Sequence, residues 1–224
     1  MTRRRFVLST SRVLGPPRQS EPLDHEEVLK LDLGFEPLSA EGPLNPMAVH
    51  VMSTCFMCRE IEASLAMRRH ISMDESRRSI SWLLPVSKND PEARGCTRTW
   101  SCTCWQENVV WRGCPYHSVK DHLDGLSSRF GPPSGLDSLP LFPNRRGKGV
   151  AASAMLILIE LLATMIGLCV VNSEGRKRFG KHSWRSTGAV WLSLIGLDIM
   201  KIKLLARWDS EIITHYARLA PLST

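Results

Sequence analysis

"KHSWRST", residues 181–187, follows a long apolar run and opens a stretch with helical spacing. His182 and Arg185 stand three positions apart, which puts an imidazole and a guanidinium on one face of a helix. Two polar groups of this kind mean little alone, because a solvated helix start in any basic protein can carry them. What else lies within reach decides their meaning. Downstream come "LLARWDS" (204–210) and "DSEIITHYARL" (209–219), where Ile212, Ile213, Tyr216 and Leu219 share a helical face. Upstream, Arg59 is followed three residues later by Glu62, and Lys88 sits in a polar turn at the end of an alternating apolar run.

The 224 residues, 43% of them hydrophobic, suffice for one sizeable core, so one main domain is expected. The net charge of +7 is unevenly placed. From Arg145 onward there are 12 Lys and Arg against 5 Asp and Glu, which leaves 17 of each (29 − 12 and 22 − 5) in residues 1–144. A basic excess confined to the last third suits a polyanionic partner such as DNA, RNA or anionic lipid. Seven cysteines, an odd number with four between Cys96 and Cys114, do not form the framework of a small secreted disulfide scaffold, and a reducing compartment is expected. That means nucleus or cytoplasm. The alternative is organelle import, because residues 1–20 hold Arg and Ser without an acid.

Residues 149–171, "GVAASAMLILIELLATMIGLCVV", are long enough to span a bilayer. Glu160 would then lie near the bilayer centre at a cost of about 3 kcal/mol. Basic residues flank both ends, Arg145, Arg146 and Lys148 before and Arg176, Lys177 and Arg178 after, so no orientation is specified. A buried core helix ending near Gly167 is the better expectation.

Residues 1–45, rich in Pro, Ser and acids, read as an irregular N-terminal segment. From Pro46, "MAVHVMSTCFMCREIEASLAM" has apolar residues at helical spacing without Gly or Pro and predicts one buried helix that carries Arg59. "HISMDESRRSISWLLPVSKND" predicts two strands about a turn at Asp74–Ser76, with Ile80, Trp82 and Leu84 alternating in the second. After the Cys-rich stretch, "GPPSGLDSLPLFPNRRGKG" reads as a loop. Helices are then expected over about 150–169, 183–194, 198–206 and 209–219. The predicted class is α+β, mostly helical, with a small antiparallel sheet.

Taken singly, Arg59 reads as a core-edge residue paired with Glu62, Lys88 as a turn lysine, His182 as a helix cap and Tyr216 as core. In order, the set resembles the tyrosine recombinase (phage integrase) family. Its pattern is an Arg on an early helix with Glu three residues on, a Lys on a β-hairpin, H-x-x-R, a Leu-Gly-His/Trp turn and a Tyr nine residues beyond that turn. The resemblance covers about residues 45–220. It implies a catalytic domain over 46–224, with a Cys-rich insertion at about 96–117, that binds duplex DNA, associates with itself on it and exchanges strands through a 3′-phosphotyrosyl intermediate. In these roles Arg59 and Arg185 clamp the phosphate, His182 takes or orients the phenol proton, Lys88 protonates the leaving oxygen and Tyr216 attacks. No cofactor is required for this chemistry.

Here the family turn reads Leu205-Ala206-Arg207-Trp208, so Arg207 occupies the His/Trp slot by spacing and Trp208 falls one residue later. Either can donate to the phosphate. The helical core-binding domain that normally precedes such a catalytic domain has no counterpart in the short N-terminal segment. A different reading is therefore a decayed, DNA-binding relic of a mobile element, and a third is a single-span membrane protein. Arg176, Lys177, Arg178 and Lys181 are the expected DNA-contacting cations.

"CTCWQENVVWRGCPYH" (102–117) supplies Cys102, Cys104, Cys114 and His117 at metal-ligand spacing. Free Cys is also a common core residue. A structural zinc here would pin the insertion and take no part in the chemistry.

Overall fold

The computed structural model describes residues 20–84, 95–104 and 109–207; Lys88, Trp208 and Tyr216 lie outside the described residues. The central element is helix α2 (Pro46–Cys55), which follows the short α1 (His25–Leu29). Asn45 caps α2 from the left-handed region, its side chain accepting from the Ala48 amide at 3.1 Å, and Pro46 takes the first helical position. Apart from Met47 the whole of "PMAVHVMSTC" is buried, including the polar His50, Ser53 and Thr54.

The single helix expected from Pro46 to Met67 is broken. Met57 adopts φ +50°, and the chain restarts as the short helix α3 (Glu60–Ser64) with Arg59 at its N-cap. Arg59 thus stands on the rim of a chain reversal and not within the buried helix. The two strands expected next are present, β1 (Ile71–Asp74) and β2 (Ser79–Leu84), with Ile71 opposite Trp82 and Met73 opposite Ile80. Ile80, Trp82 and Leu84 face the core. A third strand, β3 (Cys96–Ser101), pairs antiparallel with β2, so the sheet order is β1-β2-β3.

Helix α4 (Pro115–Phe130) was not expected, although Tyr116, Val119, Leu123 and Leu126 form a regular buried stripe. It packs on α2 and on strands β2 and β3. The long apolar run forms α5 (Ala152–Met165), which stops before Gly167 in its left-handed conformation (φ +80°). No helix among the described residues is long and apolar enough to cross a membrane. Helices α6 (Ser183–Leu194) and α7 (Ile199–Ala206) fall where the sequence places them. The segment before Pro46 joins the core through Leu23, Val28, Leu29 and Leu44.

Helix α6 approaches α2 closely at Gly188. A Cβ there would lie 2.4 Å from the Thr54 carbonyl oxygen, a backbone atom that cannot swing away. Gly188→Ala is therefore expected to cost about 1–3 kcal/mol, read as a lowered urea midpoint at unchanged slope. A loss below a few tenths of a kcal/mol would show that the two helices separate freely.

Candidate functional site

The tight α6–α2 contact brings Arg185 onto the α2–α3 reversal. Its side chain is 7% exposed, and its Nε donates to the Met57 carbonyl at 2.8 Å. Its Nη2 donates to both oxygens of Glu62, at 3.2 and 3.0 Å. Glu62 also accepts from the Arg59 backbone amide at 2.7 Å, from Arg59 Nη2 at 3.3 Å and from Arg207 Nη2 at 2.9 Å. Arg207, the C-cap of α7, reaches inward from a left-handed conformation, φ 55°. Three guanidinium groups from three separate segments thus meet on one carboxylate that is 3% exposed.

Burial pushes the Glu62 carboxyl up, but Arg185, Arg207 and Arg59 outweigh it and hold it below its ordinary range. Ionised Glu62 against three guanidinium groups leaves the cluster at +2 (3 − 1). Nε of Arg59 and Nε of Arg207 are buried and have no hydrogen-bond partner among the described residues, so the cluster carries unsatisfied donors. His182 is the N-cap of α6. Its ring reaches solvent, yet the packing around it and the charges of Arg185 and Arg59 lower its pKa, favouring the neutral imidazole that can accept a proton.

Glu62 entered the sequence pattern as a neighbour of Arg59, and the structure makes it the hub. Glu60 was missed. It is buried beside the cluster, burial raises its pKa against the pull of Lys181 and Arg59, and one of its oxygens has no partner among the described residues. A carboxylate at the first position of a helix offers no sequence signal for such a place.

The cations expected to contact DNA are partly engaged within the protein. Arg176 pairs with Glu174 at 2.7 Å and Lys177 with Glu160 at 2.6 Å. Arg178 grips Glu21 through Nε and Nη2 and donates to the Cys169 carbonyl, tying the N-terminal segment to the domain. Lys181 is exposed next to His182.

Cys102, Cys104, Cys114 and His117 also converge, with ligand atoms all within 4.8 Å of one another. His117 Nδ1 lies 3.7, 3.3 and 3.4 Å from the sulfurs of Cys102, Cys104 and Cys114, and Cys114 Sγ lies 3.7 Å from Cys102 Sγ. Bonds of about 2.3 Å to sulfur and about 2.0 Å to nitrogen in a tetrahedron give edges of about 3.8 and 3.5 Å, so these separations fit one ion. The Thr103 amide donates to Cys114 Sγ and the Trp111 amide to Cys104 Sγ, and Arg78 Nη2 lies 3.3 Å from the far ring nitrogen of His117. Such contacts orient ligands and offset the charge of thiolates. Burial pushes the Cys114 thiol up, but the hydrogen bonds from His117 and Thr103 prevail and bring it down to about 6. The cluster can hold a metal.

No protein-family model matches the sequence, and no curated protein matches it. Solved structures do match the fold. The XerH site-specific recombinase bound to a palindromic difH substrate in a post-cleavage complex aligns over 92% of this chain with a TM-score of 0.59 and 14% identity. XerA recombinase aligns over 92% with a TM-score of 0.53 and 15% identity. The Tn1549 transposon integrase in complex with a circular intermediate DNA aligns over 96%, again with a TM-score of 0.53 and 15% identity. This chain spans 52%, 62% and 66% of those three chains. Its fold is that of a tyrosine-recombinase catalytic domain, mostly helical with a small antiparallel sheet.

Proposed function

We propose that the protein cleaves and rejoins duplex DNA through a covalent 3′-phosphotyrosyl intermediate, as in site-specific recombination or integration. The convergence of Arg59, Arg185 and Arg207 on Glu62, with a neutral His182 beside them, carries this reading. A phosphodiester entering the site would meet a net positive cluster already held in place. Transfer of the phosphoryl group would then need no reorganisation of the guanidinium groups as charge builds on the non-bridging oxygens. In this proposal Arg207 takes the place that the spacing leaves between itself and Trp208; that its side chain reaches the same carboxylate as the other two supports this.

In the reaction the Tyr216 phenol oxygen bonds to phosphorus as the bond to the 5′-oxygen breaks. The phenol proton passes to His182, and the departing 5′-oxygen takes a proton from Lys88. Rejoining reverses these transfers, with a 5′-hydroxyl attacking the phosphotyrosine. Lys181, with Arg176, Lys177 and Arg178, would follow the DNA backbone, and protomers would associate on the duplex. The Cys102, Cys104, Cys114 and His117 cluster holds a structural zinc in this proposal, apart from the chemistry.

Incubation with a nicked duplex, from which the released fragment diffuses away, should trap a protein–DNA adduct that survives denaturation. Tyr216→Phe should yield none. Binding of the duplex without an adduct, or an equal adduct from Tyr216→Phe, would instead mark a DNA-binding relic.

A further inference from the structure

We infer that the Cys102, Cys104, Cys114 and His117 metal site is a remote positioning element for the arginine cluster, acting through strand β3; this rests on the proposal that the site holds zinc. Strand β3 is the edge of the sheet, bonded to β2 on one side, and none of its six residues is buried. Its inward residues Cys96, Arg98 and Trp100 are only partly buried, so hydrophobic packing holds this strand less firmly than β2. Yet β3 supports both ends of the cluster. Trp100 Nε1 donates to the Cys55 carbonyl at 3.1 Å, at the end of α2 just before the reversal that presents Met57 and Arg59. Arg98 Nη2 donates to the Leu204 carbonyl at 2.8 Å, in the last turn of α7 before Arg207.

What fastens β3 stands immediately beyond it. Cys102 follows Ser101, and its amide donates to the Arg78 carbonyl at 2.7 Å, while Cys114 and His117 belong to the N-terminus of α4, which packs on α2. An ion shared by these residues would join the exposed strand to a helix anchored in the core. Ligand bonds to one ion exceed in strength any packing the strand itself makes. With the ion in place, Trp100 and Arg98 hold their carbonyls, and through them the segments that carry Arg59 and Arg207. Without it, β3 keeps its ladder to β2 and the partly buried contacts of Cys96 and Trp100, but loses its tie to the N-terminus of α4.

Elemental analysis of the purified full chain should give one zinc per chain, and cobalt(II) exchanged into the site should show the thiolate charge-transfer and visible bands of a tetrahedral centre. Amide hydrogen exchange should then separate two outcomes. On removal of zinc by a chelator, residues 56–62 and 204–207 should exchange at least about tenfold faster. Trp100→Phe and Arg98→Leu keep all four ligands and should retain the zinc. The first should loosen 56–62 and the second 204–207. If chelation unfolds the chain, these two variants decide alone. Absence of zinc and of a cobalt spectrum would overturn the site. Bound zinc with unchanged exchange at 56–62 and 204–207 in the variants would overturn the coupling. Neither result depends on DNA cleavage, and failure to trap a DNA adduct would leave both standing.

Discussion

Glu62→Ala should lower the stability of the protein by about 3–5 kcal/mol, because it leaves three guanidinium groups facing one another without their shared counter-ion. Arg185 is the most affected of the three, being 7% exposed and bonded on its other edge to the Met57 carbonyl. For a chain of this length the loss corresponds to a fall of about 10 °C in melting temperature. Removing the carboxylate, however, creates a site for another anion. Phosphate or sulfate should therefore restore part of the lost stability, in proportion to the logarithm of its concentration, and should do so more strongly than in the wild type. A melting temperature lowered by less than about 2 °C, or one that phosphate leaves unmoved, would show that the guanidinium groups disperse into solvent once Glu62 is gone.

The second large effect is expected in acid. His25 and His122 are buried, and burial alone brings His25 from its ordinary 6.5 to about 4; burial also prevails for His122, at about 4, over its hydrogen bond to the Leu141 carbonyl. His50, in contact with His25 at 3.0 Å between Nδ1 and Nε2, is likewise held well below its ordinary value. These groups are neutral in the folded state and protonate readily in the unfolded chain. The stability they permit is complete above pH 6.5 and is lost as the pH falls toward 4, where the folded state begins to take up the same protons. His25 and His122 should each remove about 3 kcal/mol over that window. Against a total of about 5–15 kcal/mol this is enough to unfold the domain in mild acid. Glu62 adds a loss of the same sign only below its ordinary value of 4.5. Urea unfolding between pH 7.5 and 4 would check the slope, and His122→Gln, which keeps a donor for the Leu141 carbonyl, should remove about one proton from it. A stability unchanged between pH 6.5 and 5 would rule out neutral buried histidines.

Much of the site was legible as short-range pattern. Arg59 with Glu62, and His182 with Arg185, lie one turn apart, and that spacing alone puts each pair together. Cys102 with Cys104, and Cys114 with His117, are local in the same way, so their joint capacity to hold a metal could be stated before any fold was known. The alternation of Ile80, Trp82 and Leu84 set the orientation of β2, because a strand buried on one face must alternate. The length and apolarity of the run at about 150–169 marked a core helix, and Glu160, the residue that counted against a membrane span, pairs with Lys177.

Tertiary structure decided the rest, and the reasons are physical. The break between α2 and α3 depends on Met57 at positive φ, a conformation that Gly or Asn would have announced and Met does not. Helix α4 carries a regular buried stripe from Tyr116 to Leu126, but its first turn holds Cys114 and His117, whose spacing suits metal ligation as well as a helix. Strand β3 is only half-buried on its inward face, with Arg98 between Cys96 and Trp100, so its hydrophobic periodicity is faint and pairing with β2 defines it. Arg207 reaches Glu62 only because α7 ends in a left-handed residue that turns the side chain inward. Local sequence determined which residues could share a helical turn or a ligand set. Close packing of α6 on α2 at Gly188, where no side chain could intervene, determined that residues separated by more than a hundred positions would share one carboxylate.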